Sequence, residues 1–157
     1  MAFLLHSDDF QDGGRIPPRF TCEGENVSPH LAWSGLPEGS RSLALVVDDP
    51  DAPDPRAPKM TWVHWVVYDL PPESGEVATG QQPADFPVEA HFGRNDFQRT
   101  DYGGPCPPIG RHRYYFLYAL DTVLPSLGAA TRADLDRAME GHVLAETTLM
   151  GTYQKHA

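Results

Sequence analysis

Sixteen prolines and fourteen glycines are spread through 157 residues with no G-X-Y period and no low-complexity tract. Each proline removes a backbone donor and each glycine raises the entropy lost on folding, so few windows can hold an unbroken i to i−4 ladder. Long helical bundles and coiled coils are thereby disfavoured. A turn-rich, mainly β domain, or a β-rich α+β one, is expected instead. No repeat, Ser/Gly linker or charge block divides the chain, so residues 1–157 are expected to form one domain around one core.

Twelve Lys and Arg against 22 Asp and Glu leave a formal net charge of −10. Affinity for a polyanion comes from cations that neutralise phosphates, and no basic run of five or more occurs, which excludes general nucleic-acid binding. A small local anion pocket is compatible with that charge. Asp8 and Asp9 follow only a short apolar stretch, unlike a secretory signal, and no window approaches the roughly 20 apolar residues of a membrane span. Cys22 and Cys106 are the only cysteines and form no CxxC. Two reduced thiols in a cytoplasmic protein are therefore expected, with a single disulfide as the alternative.

Three strands stand out. Residues 42–48 are a continuous apolar run between turn signals, the pattern of a strand covered on both faces. Residues 61–70 carry β-branched and aromatic side chains on both faces, with Trp62, His64, Val66 and Tyr68 on one and Val63, Trp65 and Val67 on the other. Residues 113–120 form the third, with His112 at its entrance. Before them, short extended pieces at 3–5 and 20–22 are punctuated by turns. Residues 71–92 and 94–110 read as loops with one short strand near 87–92, and loops of that length tend to be functional. One helix has its signals in place: Thr131 as N-cap, Asp134 as capping-box partner, Leu135, Ala138 and Met139 on one stripe, and Gly141 as terminator. A terminal strand over 147–153 completes the sheet, with 142–146 ambiguous.

Three segments bring titratable groups to these strands. In Asp48-Asp49-Pro50-Asp51-Ala52-Pro53-Asp54-Pro55 the alternating prolines stiffen the exit from a buried strand and hold the carboxylates of Asp49 and Asp51 in place. Ala52-Pro53 is a candidate cis bond. In Trp62-Val63-His64-Trp65 an imidazole sits between two indoles, as a core histidine or a pocket residue. In the third, running from Tyr102-Gly103-Gly104 to His112-Arg113-Tyr114, the glycines allow close backbone approach with unpaired N–H groups, and the i, i+2 spacing puts His112 and Tyr114 on one face. Taken singly, these are an acidic turn, a core histidine and a loop. Together they supply two imidazoles, a phenol, backbone donors and one or two carboxylates that favour imidazolium, an inventory suited to a small oxyanion.

Asn26-Val27-Ser28-Pro29 with Trp33-Ser34-Gly35, Asp49-Pro50-Asp51-Ala52-Pro53, Trp62-Val63-His64-Trp65-Val66-Val67, Asn95-Asp96-Phe97, Tyr102-Gly103-Gly104-Pro105-Cys106-Pro107-Pro108 and His112-Arg113-Tyr114-Tyr115-Phe116 occur in that order. With Gly141-His142-Val143-Leu144-Ala145 and Gly151-Thr152-Tyr153 they span nearly the whole chain. In this the chain resembles the phosphatidylethanolamine-binding protein family, and within it the bacterial and archaeal Raf-kinase-inhibitor-like branch. The resemblance implies a large antiparallel sheet packed by a second small sheet and a few helices, with a pocket at one sheet edge. That pocket would take phosphate, a phospholipid head group, a nucleotide or a carboxylate. Asp49 and His64 match its acid and first histidine, His112 and Tyr114 its second histidine and tyrosine, and Asp51, Gly104 and Pro107 its walls. The chain departs from the branch at Gln98 and Asp101, where glycine is expected.

The resemblance further implies a non-enzymatic binding protein without a cofactor, a partner protein such as a kinase or protease, and a homodimer. A hydrolase built on His64 or His112 with Cys106 is the competing expectation. No G-x-S-x-G occurs, and Cys106 lies between Pro105 and Pro107, away from any helix N-terminus that would lower its pKa. A metal site from His64, His112, Asp49 and Asp51 is the other, and their separations match no short metal-ligand spacing.

Overall fold

A computed structural model describes the chain except residues 1–2, 53–59, 82–84, 105, 107–110, 126, 128–129 and 155–157, and describes the backbone alone at 50–52, 60, 111–117 and 154. Its strands are β1 (Leu4–His6), β2 (Leu31–Ser34), β3 (Ser42–Ala52), β4 (Met60–Leu70), β5 (Gly75–Val77), β6 (His91–Phe92), β7 (Arg111–Leu120) and β8 (Val143–Gln154). Helix α1 spans Arg132–Met139. Five strands pair in the order β6-β4-β3-β7-β8 and three in the order β1-β2-β5, every pair antiparallel.

The long apolar run becomes the middle strand of the larger sheet. Leu43, Leu45 and Val47 face the small sheet, joining Leu5, Leu31, Trp33 and Val77 from it and Trp65 and Val67 from β4. Ala44 and Val46 face the other way, with Val66, Tyr68 and Tyr118, beneath Leu135 and Met139 of α1. The apolar interior is therefore two clusters on either side of one sheet, where a single core was expected. Helix α1 starts as expected: the Asp134 N–H donates to Thr131 Oγ1 at 3.3 Å and the Thr131 N–H to Asp134 Oδ2 at 3.1 Å. Gly141 follows its C-cap at a φ of +80°.

Some expectations fail for local reasons. The piece at 20–22 forms no strand, although Thr21 is extended. Pro17 and Pro18 start a 3-10 turn over Pro18–Phe20 that buries the Phe20 ring. The terminal strand begins at Val143, which settles 142–146 largely as strand. The alternation of β4 also breaks. Val47 pairs with Trp65 but Asp48 with Val63, leaving His64 as the extra residue of a β-bulge. Val63 consequently packs with Val66 and Tyr68, not with Trp65 and Val67.

Candidate functional site

The bulge sets the geometry around His64, which is 3% exposed. Backbone groups that a bulge takes out of the ladder need other partners. They find them in the loop after β6. The Gly93 N–H donates to Val66 O at 2.9 Å, the Asp96 N–H to Val63 O at 2.9 Å, and the Val63 N–H to Asp96 Oδ2 at 2.7 Å. The His64 carbonyl accepts from Asn95 Nδ2 at 3.0 Å and from the Gly103 N–H at 3.1 Å. Asn95, 2% exposed, also donates to Asp101 O at 2.7 Å and accepts from the N–H groups of Phe97 and Arg99 at 3.0 and 3.1 Å, using all four of its amide's positions. Asn95 is thus the organiser of this loop. Its place in the Asn95-Asp96-Phe97 motif does not disclose that role, because its partners are backbone groups that sequence does not display.

The imidazole is fixed by the same loop. Its Nδ1 donates to the Gly103 carbonyl at 2.7 Å, and its ring lies 5.5 Å from that of Phe97, which also meets Trp62 edge-on at 5.6 Å. A carbonyl only accepts, so Nδ1 keeps its proton and Nε2 is the nitrogen whose protonation can change. On β3, Asp49 is 3% exposed, pairs with Trp62 and alternates onto the face of Val47, toward this loop. Its neighbour Asp48 turns the other way, to Arg132 of α1, with Oδ2 accepting from Nη1 at 2.5 Å. Burial outweighs that attraction and raises the Asp48 pKa to about 6.

The glycines depart from expectation. Both N–H groups are used within the protein, Gly103's by His64 O and Gly104's by Asn26 Oδ1 at 2.9 Å. Their lack of a side chain serves internal packing. A Cβ at Gly103 would lie 2.4 Å from Phe97 Cδ2, and one at Gly104 would lie 2.3 Å from Asn26 Oδ1 and 2.4 Å from Phe20 O. The expected nest of unpaired donors is therefore not formed by these two groups, and Gly104 packs against Asn26 and Phe20.

The thiol expectation is overturned: Cys22 and Cys106 form a disulfide with Cα atoms 5.4 Å apart. The alternative, a single disulfide, is the one that forms, across an 84-residue separation. The fold brings the two ends together where Tyr102 Oη donates to Phe20 O at 2.8 Å and Gly104 meets Asn26.

Strand β7 carries the remaining residues. Its backbone pairs with β3 from Ser42↔Leu120 to Val46↔Phe116, and on its other edge His112 pairs with Tyr153 and Tyr114 with Gly151 of β8. The chain thus brings the strands bearing Asp49, His64, His112 and Tyr114 side by side as β4-β3-β7. Asp51 lies in β3 with its backbone alone described, and Pro107 and the Ala52-Pro53 bond lie outside the described residues.

The Gln98 departure has a backbone cost. Gln98 sits at a φ of +63°, the left-handed region that glycine enters without penalty. Gln98→Gly should raise stability by about 0.5–1 kcal/mol, after the entropy that glycine adds to the unfolded chain is deducted. That is a rise of about 1–4 °C in the melting midpoint. A fall in midpoint would mean that the Gln98 side chain makes contacts worth more than the strain. Asp101, at the second departure, is half exposed and pairs with Arg99 at 3.3 Å.

Comparison with known proteins agrees with this fold. The sequence model of the phosphatidylethanolamine-binding protein family matches residues 6–154. A UPF0098 protein of Methanothermobacter thermautotrophicus is 48% identical over 153 residues, covering 96% of this chain and 98% of its own. Among solved structures, the phosphatidylethanolamine-binding protein homologue CT736 of Chlamydia trachomatis superposes with a TM-score of 0.88 at 40% identity, over 99% of each chain. YbcL of E. coli, a member of the mammalian PEBP family, superposes with a TM-score of 0.88 at 30% identity, over 99% of this chain and all of its own. With its two antiparallel sheets and a family match that runs from His6 to Gln154, the chain belongs to the phosphatidylethanolamine-binding protein family.

Proposed function

We propose that the protein is a non-enzymatic binder of small anions, with phosphate-type groups as its ligand class and Asp49, His64, His112 and Tyr114 as the binding residues. The observation that carries this reading is the fixed imidazole. His64 is buried on a bulge with Nδ1 committed to the Gly103 carbonyl, on strand β4 beside the strand that bears the buried Asp49. Protonation at Nε2 turns such a ring into a pre-oriented donor, and a nearby carboxylate favours that protonation. The neighbouring strand β7 supplies a second imidazole and a phenol two residues apart. Asp51, Gly104 and Pro107 complete the wall in this reading.

Ligand-dependent binding of a protein partner, a kinase or a protease, is the wider role we attach to the site. No helix among the described residues is long and apolar enough to cross a membrane. A cytoplasmic setting is part of the proposal, and there reductants would act on the exposed Cys22–Cys106 bond.

Calorimetric titration with inorganic phosphate and with phosphoethanolamine tests the proposal. Binding should weaken at least tenfold in His64→Ala and in His112→Ala, and should weaken in the parent chain as pH rises from about 6 to 8. Equal binding by both variants and the parent would move the site elsewhere. A flat pH profile would remove imidazolium from the mechanism.

A further inference from the structure

Beside the loop that holds His64, the aromatic residues Trp65, Phe86, Phe92 and Tyr102 line a partly open cavity of about 70 Å³ together with polar residues that include Ser28, Gln81 and Asp101. The rings brace one another edge-on. Trp65 meets Phe86 at 5.9 Å and Tyr102 at 5.5 Å, and Phe86 meets Phe92 at 5.1 Å. Trp65 and Ser28 are each 2% exposed. Among the described residues, neither the Trp65 indole N–H nor the Ser28 hydroxyl has a hydrogen-bond partner, whereas the Trp33 indole donates to Glu73 O at 3.1 Å. A buried donor left unmet costs about 1–3 kcal/mol, and native proteins satisfy nearly all of them. Both residues line the same cavity, which makes it the place where an acceptor for these donors would sit.

We propose that this cavity is a second binding site, distinct from the anion site, for a small primary carboxamide. The two donors require a hydrogen-bond acceptor, and the ring walls suit a flat group with a short apolar body. The occupant is uncharged. No Lys, Arg or His lines the cavity among the described residues, and Asp101 together with the chain's charge of −10 disfavours a carboxylate. A primary amide meets both sides, its carbonyl accepting from Trp65 or Ser28 and its NH₂ donating toward Asp101. The volume matches about two waters at ~30 Å³ each, so water is the competing occupant.

The test follows the three indole N–H resonances of the ¹⁵N-labelled protein during titration with acetamide and isobutyramide, with sodium acetate as the charged counterpart. The Trp65 resonance should shift saturably with the amides and not with acetate at equal concentration, while that of Trp33 stays in place. Ser28→Ala should weaken amide binding about tenfold, the equivalent of one hydrogen bond. A Trp65 resonance that no amide moves would leave water as the occupant and overturn the proposal. An equal response to acetate would overturn the ligand class, and undiminished binding in Ser28→Ala would overturn the site. Should that variant fail to fold, the comparison of amide with acetate on the parent chain decides alone.

Discussion

Replacing both cysteines, Cys22→Ser with Cys106→Ser, is expected to lower stability by about 4–5 kcal/mol. In the chain-entropy model a cross-link closing a loop of about 84 residues withholds that much freedom from the unfolded state. For a chain of this length the melting midpoint should fall by about 10–20 °C. The loss should also be felt at the site. The bond ties the 18–26 segment to the run that follows Gly104, and the Gly103 carbonyl two residues before Pro105 holds the His64 ring. Phosphate affinity should therefore fall in the double variant at temperatures where it is still fully folded. Both residues are exposed, so a reductant should reproduce the variant's midpoint in the parent chain. Thiol counting provides the independent check: the native protein should show no reactive thiol before reduction and two after. An unchanged midpoint together with two reactive thiols before reduction would show that the bond does not form in solution.

What sequence reading reached and what it missed divide along a physical line. The strand over 42–48 was legible because a run of Leu, Ala and Val bounded by turn residues has one low-energy use, the middle of a sheet. Helix α1 was legible because its start is encoded within four residues, Thr131 to Asp134. The short strands β2 and β5 were not, since strands of three and four residues take their definition from the partners they find. At the site, the two residues whose side chains can be placed, Asp49 and His64, are buried on adjoining strands. The bulge that aims His64 and the Asn95 hub were invisible, and the disulfide ranked behind free thiols, because each rests on contacts between residues far apart in sequence. The glycines were noticed for the right property and assigned the wrong use: close backbone approach occurs, but to Phe97 and Asn26.

Asp48 is expected to make the protein less stable as pH rises from about 4 to 6, opposite to the trend set by ordinary surface carboxylates. Its carboxyl is 5% exposed, and burial raises its pKa from 3.8 to about 6 despite the Arg132 guanidinium beside it. The folded state therefore holds a proton that the unfolded chain has released in that window. The stabilisation is full below pH 3.8 and lost as pH passes through about 6. A shift of roughly two units corresponds to about 3 kcal/mol. Asp48→Asn removes the titration, so its stability relative to the parent should improve by about 3 kcal/mol between pH 4 and pH 7, measured by denaturant melts at each pH. Arg132→Met acts on the other half of the contact. Arg132 also donates to Asp136 Oδ1 at 2.7 Å and to Tyr118 Oη at 2.9 Å, so the change costs packing and hydrogen bonds at every pH. Removing the cation raises the Asp48 pKa further, so only well above pH 6 does the change leave a buried carboxylate without its partner, a loss of about 3–5 kcal/mol when the charge cannot escape. Protonation lets Asp48 escape at lower pH, so the penalty should shrink on acidification. Were the penalties of both variants independent of pH, Asp48 would be ionised throughout, and attraction to Arg132, not burial, would govern its charge.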